Sequence, residues 1–255
     1  QNPWTFSIRI PIRIKLFHEE EIDNFNEEKN GITYSLWFND DDEIKYEINS
    51  TIEYIKSSNI NSTSNEQRYI EVKYIQNKIK EPITPKGGYY LGFSSSLYGT
   101  ILGGHINILK SLLEYRKYYN IYKDILAIRI IYGNIINFDN NPFLSKRYKF
   151  QHGGATTLRG WAKPDDTIKP DGDLISNLLN IEYRRNLFDN WGIYLFYDYG
   201  ILYNNNHNFK DIQSIWNYGT GIIYKTKLGP IRIDIGFPYG ELLNKQIHAS
   251  LLYMF

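Results

Sequence analysis

The sequence predicts an all-β protein, an antiparallel transmembrane β-barrel. Three observations carry that prediction: long runs of strict period-two alternation, short polar interruptions between them, and charges on the face opposite the oily one. Composition agrees. Of 255 residues 16% are aromatic, 23 are Tyr, one is Met and none is Cys, a profile rich in strand formers. No run of 18 or more apolar residues encodes a transmembrane helix. The mean hydropathy of -0.46 does not argue against a barrel, because barrel strands show only one face to lipid and average out as polar.

The clearest run lies at residues 4–16, where Trp4, Phe6, Ile8, Ile10, Ile12, Ile14 and Leu16 alternate with Thr5, Ser7, Arg9, Pro11, Arg13 and Lys15. Successive side chains on a strand point to opposite faces, so one face is wholly apolar and the other basic and hydroxylated. At roughly 3.3 Å per residue the run reaches about 43 Å, more than a tilted strand needs to cross a ~30 Å hydrocarbon layer. The pattern recurs in Ile32–Phe38, Ile44–Tyr54, Ile70–Tyr74, Tyr89–Leu97 and Leu126–Tyr132, separated by polar connections such as 39–43, 57–67 and 82–88. Segment 105–121 reads as a strand, although Ile106, Leu109 and Leu113 also fit helical spacing. Five regular strands follow residue 177. Their apolar rows are Leu179–Tyr183, Ile193–Tyr199, Trp216–Tyr224, Ile231–Phe237 and Ile247–Phe255, about twelve strands in all.

A soluble sandwich shows the same alternation around a dry core. Against it stands the second row, with Arg9, Arg13, Arg129, Glu182, Arg184, Asp198, Arg232 and Asp234. Charges are prohibitively costly in a dry core and cheap in a wet bore, so the oily face is expected to meet lipid.

One connection breaks the hairpin rhythm. Residues 138–176 hold no convincing strand, and loops of this length in compact domains are usually functional or disordered. At their centre stands Gly153-Gly154-Ala155-Thr156-Thr157-Leu158-Arg159-Gly160-Trp161. The paired glycines permit a tight turn, and Thr156 and Thr157 offer local hydrogen bonds.

This string resembles the hallmark of the outer-membrane protein assembly superfamily, the BamA- and TamA-like barrels, with its Gly-Gly-x-x-x-x-Arg-Gly-aromatic motif on a long late loop. Asn180–Arg184, Leu195–Gly200 and Gly229–Gly236 are similar to the strands that follow that loop in the family. The resemblance is close over about residues 125–255 and rests on pattern alone before them. It implies a loop folded back into the lumen, with Gly153, Gly154, Leu158, Arg159, Gly160 and Trp161 as its motif, and Arg159 paired with Glu182 and Asp198. Parity independently places both carboxylates on the inner face. The forked guanidinium donors suit two carboxylates at once. The resemblance further implies a terminal strand signal at His248, Ser250, Tyr253 and Phe255, with Ser250 standing where the family has Gly, and a weakly paired seam open to strand addition.

If the family barrel has about sixteen strands, the first four or so are missing here, together with the periplasmic POTRA domains. Residues 1–255 are accordingly expected to form the C-terminal part of a barrel domain. The start at Gln1, without Met or leader, agrees with an excised piece of a longer chain.

The function this implies is assembly in an outer membrane, bacterial or organellar, where client β-barrel proteins are inserted or translocated through a lateral seam. The expected partners are unfolded client proteins, the lipid bilayer and accessory assembly proteins. No cofactor, metal or catalytic residue is expected, and a net charge of +1 gives no argument for nucleic acid. The alternatives are a partner-secretion channel, a passive porin and an outer-membrane barrel enzyme. For the enzyme, His18, His105, His152, His207 and His248 are scattered and none sits in a nucleophile-elbow setting. Asp165, Asp166, Asp171 and Asp173 cluster after the motif but lack EF-hand order.

Overall fold

The computed structural model describes residues 11–21, 27–39, 42–57, 65–139, 144–167, 169–188, 190–204, 212, 214–240 and 244–255. They form one antiparallel sheet of twelve strands paired in chain order. The strands are β1 (Ile12–Glu21), β2 (Glu27–Asn39), β3 (Ile44–Ser57), β4 (Asn65–Asn77), β5 (Gly88–Tyr98), β6 (Ile108–Ile121), β7 (Asp124–Asn137), β8 (Ile175–Phe188), β9 (Trp191–Tyr203), β10 (Ser214–Thr226), β11 (Gly229–Pro238) and β12 (Gln246–Leu251). Among the described residues no helix is long and apolar enough to cross a membrane.

From β5 onward the connections alternate in length. β6–β7, β8–β9 and β10–β11 turn in two residues, whereas the opposite ends carry 99–107, 138–174, 204–213 and 239–245. Barrels of the outer membrane have this asymmetry, with short turns on the periplasmic side. The long connection closes two residues earlier than its sequence limits, because Ile175 and Ser176 already pair with Tyr203 and Leu202. Segment 108–121 is a strand; Leu113 stands exposed on its outer row, so period two prevails over the helical spacing. β1 begins at Ile12 and runs beyond Leu16 to Glu21, while Trp4 to Ile10 of the predicted first run, like His207, lie outside the described residues.

The chain forms two compact units. The first comprises residues 1–76, 93–111 and 136–142. Its oily row, with Ile32, Tyr34, Ile48, Ile52 and Val72, is exposed, and its buried residues include the hydroxyls and amides of Ser35, Asn49, Thr51, Gln67 and Ser96 beside Ile55 and Ile108. Thr33 and Thr51 share a 3.0 Å hydroxyl bond, and Asn49 donates to Glu71 at 3.1 Å.

The second unit comprises 77–92, 112–135 and 143–255. From β8 to β11 alternate residues are buried, and this row holds Glu182, Arg184, Asp198, Arg232 and Asp234 beside apolar Leu178, Tyr194, Phe196 and Ile215. Leu195 is 63% exposed, whereas Asp198, three positions on and opposite in parity, is 0% exposed. The oily rows therefore face outward and the ionic rows inward. The inner charges do not sit in open water, however. The long loop brings Arg159 among them, and they pair with it and with one another.

Candidate functional site

The loop is anchored by its own turn chemistry. Gly153 and Gly154 adopt φ of 134° and 89°, conformations that side chains with a Cβ rarely reach. The Thr157 hydroxyl closes the turn, accepting from the Gly153 N–H at 2.7 Å and donating to the Gly153 carbonyl at 2.9 Å. Gly154 N–H donates to the Trp161 carbonyl at 2.9 Å, and Arg129 Nη1 holds the Thr156 carbonyl at 2.9 Å. Leu158 is fully buried with Ile131, Leu178 and Ile215, and Trp161 packs against that cluster. Ile131, Leu178 and Ile215 are inner-row residues, so the bore carries an apolar patch that seats the loop.

This seating delivers Arg159 to the buried face, where it is 0% exposed. Its Nε and Nη2 donate to Asp198 Oδ2 and Oδ1 at 2.9 and 2.6 Å, and Nη1 donates to Glu182 Oε1. The Arg159 N–H also reaches Asp198 Oδ2 at 3.2 Å. The guanidinium lies over the Phe196 ring, 3.6 Å from its centroid. Two close approaches make room. A Cβ on Gly160 would meet Asn217 Cβ at 2.7 Å, and one on Gly236 would meet the Arg159 carbonyl oxygen at 2.3 Å.

Sequence reasoning named Arg159, Glu182 and Asp198 but missed the rest of the network. Asn180 and Asn217, the cross-strand neighbours of Asp198, donate to it at 2.8 and 2.9 Å. Glu182 also accepts from Arg184 Nε at 2.7 Å and Arg232 Nη2 at 3.1 Å, and Arg232 bridges to Asp234 at 3.1 Å and to the Tyr194 hydroxyl at 2.7 Å. Three guanidiniums thus face three carboxylates. Burying an ion costs several kcal/mol unless it is paired and hydrogen-bonded, and this balance supplies the pairing. The signal was present, since parity put every one of these groups on the inner row. Their mutual distances depend on strand register, which one sequence does not show.

The terminal residues correct an expectation. The oily row predicted through Tyr253 and Phe255 stops at Leu251. Leu252 takes a φ of 72°, its N–H donates to the Pro230 carbonyl at 2.7 Å, and the chain turns off the sheet toward the interior. Tyr253 then packs against the Tyr194, Phe196 and Ile223 cluster, and Phe255 is buried with Tyr118 and Ala127. Arg184 explains the turn. Its guanidinium stacks on Tyr253 at 4.2 Å, and its Nη2 donates to the Phe255 carbonyl oxygen at 3.2 Å. Both rings gain a buried cation that the lipid face does not offer. His248 stays on β12 and touches the loop, with its Nε2 3.0 Å from the Arg159 carbonyl oxygen. Ser250 is the register partner of Arg232.

His152 is buried, with Nε2 2.9 Å from the Ser176 hydroxyl, and burial pushes its imidazole down to about 4. Asp173 accepts from Lys169 at 3.2 Å and from the Leu174 N–H at 2.9 Å, so it braces the loop.

Twelve strands with an oily outer row and a loop seated on an ionic inner row define part of a transmembrane β-barrel with an occupied bore. The Omp85 superfamily domain matches residues 1–248. The chain belongs to the Omp85 superfamily, a family of outer-membrane protein assembly and translocation. Its fold is similar to that of BamA from Haemophilus ducreyi lacking POTRA domains 1-3, with a TM-score of 0.80 at 13% identity over 97% of this chain. It is also similar to CdiB from Acinetobacter baumannii, with a TM-score of 0.57 at 11% identity over 95% of this chain. The chain spans 59% of that BamA chain and 47% of that CdiB chain. No curated protein sequence matches it.

Proposed function

We propose that the chain is the C-terminal part of the barrel of an outer-membrane assembly factor, which inserts or translocates client β-barrel proteins at a lateral seam without covalent chemistry. In this reading the parent chain supplies further strands and POTRA domains, the membrane is a bacterial outer membrane, and unfolded client proteins and accessory assembly proteins are the partners. One observation carries the reading: a long loop holds its arginine against carboxylates of two neighbouring strands inside the sheet. A passive pore has no need of so specific a clamp in its bore. The length of β12 supports a seam at the last strand, because it has six residues where every other described strand has ten or more, and any ladder it makes with a first strand is correspondingly short. A short ladder opens readily and then offers unpaired backbone to an incoming strand.

The experiment is reconstitution of the parent protein in vesicles with an unfolded client barrel. Acceleration of client folding into the bilayer is expected. Ion conductance without acceleration would sink the assembly reading and leave a porin, and passage of a secreted partner without its insertion would leave a secretion channel.

A further inference from the structure

We infer that the outer face of the β6–β7 and β8–β9 hairpins carries a binding site for the headgroup of an anionic phospholipid. A groove of about 540 Å³ opens there at the short-turn end, lined by Tyr122, Lys123, Asp124, Tyr183, Arg185 and Leu187 among others. Tyr183, Arg185 and Leu187 belong to the exposed row of β8, the row that meets lipid elsewhere on the sheet. Lys117 lies on the corresponding row of β6, four residues before the strand ends, with its ammonium 5.4 Å from the Tyr89 ring and 5.5 Å from the Tyr119 ring.

Cations on a lipid-facing row are costly at the bilayer midplane and nearly free at the headgroup level, so their position marks where the phosphates lie. Long basic side chains keep their stems in the oily zone and lift their charges to that level, and tyrosines gather there as a girdle. Charge gives the polarity of the ligand. Asp124 is the carboxylate of the groove, and its oxygens are already held by the Tyr183 hydroxyl and by Arg185 Nε at 3.8 Å. Lys123 and Arg185 therefore line the groove with a single carboxylate and leave it net positive, and Lys117 adds a further cation on the same outer face. The Arg185 side chain remains 62% exposed. Tyr122 at the turn tip is 99% exposed and Leu187 48% exposed, an oily rim suited to the glycerol and first acyl carbons. A phosphodiester satisfies the cations, and its acyl chains lie along the exposed oily row of the strands.

The test is native mass spectrometry of the full-length protein released from micelles doped equally with phosphatidylglycerol and phosphatidylethanolamine. Retained phosphatidylglycerol is expected to exceed phosphatidylethanolamine by about tenfold, on the scale of about 1 kcal/mol per basic residue near an anionic surface. Lys123→Gln with Arg185→Gln should erase the preference. Lys80→Gln with Lys227→Gln removes the same charge elsewhere and should not. Equal retention of the two lipids by the wild type overturns the proposal whether or not the variants fold. Equal loss in both double variants overturns it in favour of diffuse charge, and displacement by free glycerol phosphate overturns it in favour of a soluble phosphate ligand.

Discussion

Arg159 concentrates the chemistry of the molecule in one side chain. It spends its N–H groups on two carboxylates, stacks on Phe196, and through its carbonyl meets His248. Removing one partner of a buried ion pair costs roughly 3–5 kcal/mol because the other charge is left stranded. That cost falls on docking of the loop, since the strand ladders on either side keep their own hydrogen bonds. Arg159→Ala is therefore expected to expose residues 138–174 to protease and, on the proposed function, to slow client folding, with strand content unchanged in circular dichroism. Arg159→Lys keeps a charge but loses the fork and should fall between. Equal loss of barrel and activity in Arg159→Ala would reduce the arginine to a structural staple. His152 adds a pH dependence. Its folded value near 4 lies below the unfolded value near 6.5, so the native loop binds fewer protons than the released one. The stabilisation is complete above about pH 6.5 and falls away toward about pH 4. Thermal melts of wild type against His152→Gln across that window should differ in slope, with the variant flatter.

At the scale of elements, β12 is the informative strand. Its ladder to β11 spans six residue pairs, and beyond the Leu252 bond to Pro230 the segment after it is held by the side chains of Arg184, Tyr118 and Tyr194. The tail, the loop and the last strand share one network, because Arg184 joins Phe255 to Glu182 and Glu182 joins Arg159. Tyr253→Ala with Phe255→Ala should free the tail and raise amide exchange along β12, leaving the β9–β10 ladder as protected as before. Unchanged exchange in β12 would show that the tail does not support the strand. The long loop works by similar economy. Its two-glycine turn is local, but the Leu158 plug needs Ile131, Leu178 and Ile215 from three different strands.

For the whole molecule the governing fact is a departure from an ordinary globular protein, with oily rows exposed and polar or ionic residues prominent among the buried ones. Leu195→Arg on the outer row of β9 places a charge toward lipid at a cost of roughly 2–4 kcal/mol near the midplane. The variant should integrate poorly into vesicles, as read by loss of the heat-modifiable folded band. Normal integration would mean that this row does not face hydrocarbon.

The sequence by itself determined the order of the strands, the parity of the residues within them and an oily face opposite a polar one, with the arginine motif set on the long connection. These are local properties, because alternation about an extended backbone assigns a face to each residue without knowledge of its neighbours. Only the tertiary structure decided which inner charges meet. Arg184, Arg232 and Asp234 were legible as inward-facing, but their convergence on Glu182 and Arg159 depends on register across β8 to β11. It also decided that Tyr253 and Phe255 turn inward. The alternation continues through both residues on paper, and what ends it is a left-handed Leu252 stabilised by a buried arginine 71 residues away in sequence from Phe255.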